Sequence, residues 1–90
     1  MIPTMQTLIE LEGDVLIVFP SRKRARMELS RFYTLIGGRL HLDKFQLFKG
    51  KTRWKFVSVN QFTDLFGTRW HTIRFVDVPY NPEWSVLLKE

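Results

Sequence analysis

Ninety residues, 44% hydrophobic and 14% aromatic, make one small domain rich enough in apolar side chains to exclude a disordered chain. The absence of cysteine excludes a disulfide framework and thiolate chemistry, and fits a cytoplasmic setting. A formal net charge of +5 points to polyanions or acidic surfaces as partners.

Residues 7–11 and 15–19 read as two short strands joined at Gly13 and Asp14. A glycine leading a two-residue turn matches the twist of a hairpin. That register sets Leu11 opposite Leu16 and Ile9 opposite Val18 on the core face. Residues 15–19 are also the longest uninterrupted apolar run, far too short to span a bilayer. The N-terminal stretch carries no basic residues ahead of its apolar ones, so no signal peptide is expected.

Pro20 and Ser21 then open one long helix, with Ser21 placed to cap the first turn. Ala25, Leu29, Phe32 and Ile36 fall on one helix face. Gly37 and Gly38 stop the helix, because glycine accepts the left-handed conformation of a C-terminus. Arg22, Lys23, Arg24, Arg26 and Arg31 lie mostly off the apolar stripe. Cations in a first turn oppose the helix dipole, so three of them together suggest a role other than helix stability. A phosphate bound there would meet both the side chains and the free N–H groups.

Residues 39–42 form a short strand, and the loss of phase at Asp43 and Lys44 signals a bulge or a turn. Residues 45–49 and 52–59 make the second hairpin around Gly50 and Lys51. Its register opposes Leu47 to Trp54 and Phe45 to Phe56, which gives an aromatic core face. The other face carries Lys44, Gln46, Phe48, Arg53, Lys55 and Val57, with Lys49 and Lys51 at the tip. A basic sheet face with an aromatic in it suits phosphates and an unstacked base. The competing reading packs Phe48 under the segment that begins at Arg39 and leaves the lysines as a solvated surface.

Residues 60–67 read as a short helix capped by Asn60 and stopped by Gly67, and residues 72–78 as a last strand. The tail at 80–90 turns apolar through Trp84, Val86, Leu87 and Leu88, so it docks on its own domain or on another copy. The predicted fold is therefore α+β: an antiparallel sheet from two β-hairpins and a final strand, one long helix packed on it, and one short helix. A single domain covers 1–90, with its core at about residues 5–79.

Charge is unevenly distributed. Residues 22–55 hold eleven Lys or Arg against two acids, a local net of +9, and the remainder nets −4. Segregation of this kind attracts polyanions or acidic surfaces. The expected contact residues are Arg22, Lys23, Arg24, Arg26, Lys44, Phe48, Lys49, Lys51, Arg53 and Lys55. The leading reading is a small DNA- or RNA-binding or regulatory protein that contacts phosphates through the helix start and the second hairpin. The first alternative is a protein-interaction module, an inhibitor or accessory subunit, on an acidic partner surface. The second is a metal-independent ribonuclease using Tyr33, His41, His71 and Arg74. No catalytic constellation, cofactor motif, metal-ligand spacing or membrane segment is found, and a homodimer through the C-terminal segment is a further expectation. Within the predicted helix, Leu29 and Phe32 should matter for stability and Arg24 should be close to neutral.

Overall fold

Gly13–Phe19 forms β1, the strand against which both layers of the core pack. Val15, Leu16, Ile17, Val18 and Phe19 are all buried at 2% exposure or less, which is the pattern of a strand covered on both faces. The computed structural model describes residues 8–89. After β1 come α1 (Arg22–Ile36), β2 (Arg39–His41), β3 (Gln46–Lys49), β4 (Thr52–Ser58) and β5 (Thr72–Phe75). The strands make one five-stranded sheet in the order β2-β3-β4-β1-β5.

The sheet is antiparallel from β2 through β3 to β4, and parallel where β4 and β5 flank β1. Parallel neighbours need a crossover between them. Helix α1 and the β2–β3 pair lie between β1 and β4 in the chain, and two 3-10 turns (Val59–Gln61 and Thr63–Leu65) lie between β4 and β5. The helix covers one face of the sheet. Ala25, Leu29 and Phe32 pack there with Val15, Ile17, Phe19, Leu47, Trp54 and Phe56. Phe32 meets Trp54 edge-on at 5.2 Å and Phe56 at 5.7 Å between ring centroids. Each such side chain contributes about 1.5–3 kcal/mol by leaving water.

Among the described residues the second face is covered only over its β1–β5 side. Leu16, Val18 and Val57 meet Leu65, Trp70, Trp84 and Leu87 there. The last two come from a C-terminal 3-10 helix, Pro82–Leu87, started by an Asn81 side chain that accepts from the Glu83 N–H at 3.0 Å. Trp70 fixes the tail by backbone bonds: its N–H donates to the Leu87 carbonyl (2.7 Å) and its carbonyl accepts from the Lys89 N–H (2.8 Å).

The expected helix is present with the expected ends. The Ser21 hydroxyl accepts from the Arg24 N–H at 3.1 Å, and Gly37 stops it at φ 72° with its N–H on the Tyr33 carbonyl. The second hairpin has the expected register, with Leu47 opposite Trp54 and Lys49 opposite Thr52. The break before it is a 3-10 turn, Leu42–Lys44, followed by Phe45 in the left-handed region at φ 53°.

The first hairpin is corrected. Leu8 and Ile9 are helical, the Leu11 N–H donates to the Leu8 carbonyl, and both sides of β1 are taken by β4 and β5. The physical reason is that an unbroken apolar run needs cover on both faces, which a two-stranded ribbon with Glu10 and Glu12 beside it does not supply. Thr7, the first residue of the expected strand, lies outside the described residues, as do the other positions before Leu8. The short helix predicted at 60–67 is instead two 3-10 turns, the first capped by Ser58 and Gln61 rather than by Asn60 and the second without a side-chain cap. Among the described residues no helix is long and apolar enough to cross a membrane.

Candidate nucleic-acid interface

Side chains alternate across a strand, and register partners share a face. On the second sheet face the pairings therefore set up two cross-strand rows. Arg39, Phe48, Arg53 and Asp14 form one row across β2, β3, β4 and β1. His41, Gln46, Lys55 and Leu16 form the other. Only Leu16 of these eight enters the core. The β2–β3–β4 half of the face thus carries polar, basic and aromatic groups, while the C-terminal helix covers the half beside β5.

Phe48 is the centre of the open half. The Arg39 guanidinium lies over its ring at 5.5 Å, and the His41 ring meets it edge-on at 5.2 Å. The His41 Nε2 atom is buried without a hydrogen-bond partner. On the next strand Arg53 stacks on Trp70 at 4.4 Å and donates through Nε to an Asp14 carboxylate oxygen at 3.0 Å. Lys55 donates to the Lys44 carbonyl at 2.8 Å. Partial burial, and then the charges of Arg53, Arg22 and Lys44, push the Lys55 ammonium below the ordinary lysine range. Lys44, Lys55 and Arg22, the last laid over the Phe45 ring at 4.7 Å, gather toward the end of the sheet where α1 begins, and Arg53 adds a fourth cation nearer the hairpin turn.

The ten residues expected from the sequence divide into groups. Arg22, Lys44, Phe48, Arg53 and Lys55 come together on and beside the open half-face. Lys49 and Lys51 lie at the hairpin turn, one rung beyond the Phe48–Arg53 pair and away from Arg22 and Lys44, and the Lys49 ammonium donates to the Ile36 carbonyl at 2.6 Å. Helix α1 separates Arg22 at its start from the hairpin tip at its end by roughly 21 Å at 1.5 Å per residue. Lys23 and Arg26 are exposed on the outer surface of α1. Arg24 is taken up by carboxylates: it donates to Glu28 at 3.0 Å and to Asp77 at 2.6 Å. Glu28 is 2% exposed and also accepts from Arg31 at 3.3 Å.

Arg39 and His41 were not among the ten expected contacts, but Arg39 lies over Phe48 as in the competing reading, which packs Phe48 under the segment that begins at Arg39. The signal that finds them is the pairing of β2 to β3, which a three-residue strand after a glycine pair does not reveal. Tyr33, His41, His71 and Arg74 do not converge. His41 and His71 belong to opposite edges of the sheet, roughly 19 Å apart at four strand spacings of about 4.8 Å. Among the described residues no group of three His, Asp or Glu side chains is placed to hold a metal ion.

No family model matches the chain, and no curated protein or solved structure is significantly similar to it. Function has to be argued from the site itself.

Proposed function

We propose that this domain binds nucleic acid in single-stranded form on the uncovered β2–β3–β4 half of its sheet. The observation that carries the reading is the position of Phe48. It is a half-buried ring set between Arg39 and His41 on an open sheet face, with cations on both sides and no core residue above it. An unstacked base can lie on such a ring, and stacking contributes about 1–3 kcal/mol per base without sequence preference. Arg22, Lys44 and Lys55 line the end of the same face, where backbone phosphates would supply the negative charge that the cluster lacks. A duplex offers no free base face, so it would use only the cations.

Fluorescence anisotropy with labelled dT and rU dodecamers at several salt concentrations tests the reading. Affinity should fall steeply as salt rises, because each phosphate contact releases roughly one counterion. Phe48→Ala should weaken single strands about 5- to 150-fold, which is the stacking range above, and leave duplex affinity nearly unchanged. No binding of any oligonucleotide at low salt overturns the proposal. An acidic protein partner is the second reading, favoured by the way Arg24 and Arg53 already hold carboxylates within the chain.

A further inference from the structure

Strand β5 is the outer strand of the sheet on the side away from β2, and among the described residues no strand lies beyond it. In an edge strand, half of the N–H and C=O groups face outward without a ladder partner. A cleft of about 240 Å³ runs beside this edge, lined by residues 71–75 and by Tyr80, Asn81, Trp84, Ser85 and Leu88. Its floor is aromatic: Phe75 meets Tyr80 at 5.6 Å and Trp84 at 5.8 Å, both edge-on. Tyr80 is 72% exposed, so one wall of the cleft has protein on a single side.

The chain shows that this edge accepts a strand. Immediately before β5, Trp70 and Leu88 make a parallel bridge through the two backbone bonds already described. The tail therefore supplies a first rung, and no described strand pairs with the outer side of Thr72–Phe75. Charge selects the occupant. Arg74 lines the cleft and Arg69 lies in the neighbouring depression with Ser85 and Leu88, and neither has a carboxylate partner among the described residues. Among those residues the Arg69 guanidinium donates to the Thr68 carbonyl beside it. A second copy of β5 paired antiparallel about Arg74 would bring Arg74 up to Arg74, a like-charge contact that opposes that register.

We infer that the β5 edge docks an extended acidic peptide, which adds to the sheet as a further strand and seats one apolar side chain against Phe75, Tyr80 and Trp84. Main-chain bonds would give the affinity, and the pocket together with the arginines would give the selectivity. This surface lies at the opposite edge of the sheet from Phe48, so it is separate from the proposed nucleic-acid face.

A fluorescein-labelled seven-residue peptide of alternating Glu and Val, with a central Phe, tests the inference on the full chain. Anisotropy should show saturable one-to-one binding, and NMR should show the Thr72–Phe75 amides shifting and exchanging more slowly. Arg74→Glu should weaken the complex about tenfold. Tyr80→Ala, at an exposed position that leaves the fold intact, should weaken it as well. A peptide with alternate backbone nitrogens methylated should lose binding, because it cannot complete the ladder. Absence of binding overturns the inference, as does equal binding of the methylated peptide or binding that leaves the β5 amides unshifted. Displacement of the peptide by a dT dodecamer would assign the edge to nucleic acid and also overturn it. Phe48→Ala should leave the peptide complex unchanged, so this inference and the nucleic-acid reading fail independently.

Discussion

Lys49 donates its ammonium to the carbonyl of Ile36 at 2.6 Å, which ties the tip of the second hairpin to the C-terminal end of α1. The contact assigns Lys49 a structural task. It satisfies one of the helix's unpaired carbonyls and places positive charge at the negative end of the helix dipole. Lys49→Met should therefore cost about 0.3–1 kcal/mol in chemical denaturation. Its affinity for a dT dodecamer should stay near that of the unmodified chain. A large loss of affinity with unchanged stability would move the nucleic-acid site to the hairpin tip.

The helix start behaves differently. Leu29 and Phe32 are fully buried, and truncating them to alanine should cost about 2–5 kcal/mol each. Arg24 was expected to be near neutral, but it partners the buried carboxylate of Glu28 and reaches Asp77 as well. Removing it leaves a desolvated acid with Arg31 alone, and an unsatisfied buried charge is costly. Arg24→Ala should lower the melting temperature measurably, and Arg26→Ala, on an exposed position, should not. Equal melting temperatures for the two variants would show that Glu28 does not depend on Arg24.

How far the sequence reveals this architecture depends on distance along the chain. The second hairpin is local: a glycine at the turn and alternating residues on either side set its register, and with it the face shared by Phe48, Arg53 and Lys55. The partners of β1 are not local. Val15 pairs with Trp54 and with Thr72, so nothing near β1 in sequence announces them. The available signal was the unbroken run from Val15 to Phe19, which lacks the alternation of a one-sided hairpin strand. The same limit applies to the site. The basic residues were legible, but Arg24 meets Asp77 across 53 positions and Arg53 meets Asp14 across 39. Segregated charge in the sequence is thus partly neutralised in space, by acids that lie outside the basic segment.

Asp14 gives a dependence on pH. Burial raises its carboxyl pKa, but the Lys89 hydrogen bond and the charges of Arg53 and Lys89 outweigh this and hold it below the ordinary value. A carboxylate whose pKa is lower in the folded state stabilises the fold above its unfolded pKa of about 3.9, and the gain is lost as pH falls through the folded value. Asp14→Asn should therefore be less stable than the unmodified chain at pH 6, with the difference shrinking below about pH 4. Water reaches the cluster, so the difference should stay within about 1 kcal/mol. Urea denaturation of both proteins between pH 6 and pH 2.5 measures it. A difference independent of pH would show that the Asp14 charge has no part in holding the tail through Lys89.

Lys55 carries the opposite sign. Its ammonium is disfavoured in the folded state, first by burial and then by Arg53, Arg22 and Lys44. A lysine with a lowered folded pKa penalises the fold at neutral pH, and the penalty lifts as pH rises through that lowered value. Lys55→Met keeps the length of the side chain and removes the charge, so the free domain should be as stable as the unmodified chain or more stable at pH 7. Bound phosphate reverses the balance, because it supplies counter-charge to Lys55 and its neighbours Arg22 and Lys44, whereas Arg53 already holds Asp14. The same substitution should therefore weaken oligonucleotide binding and reduce the slope of log affinity against log salt by about 1. Stability and binding should move in opposite directions at this position. Paired denaturation and anisotropy on one preparation decide the matter: a Lys55→Met protein that binds the dT dodecamer with an unchanged salt slope would remove Lys55 from the interface.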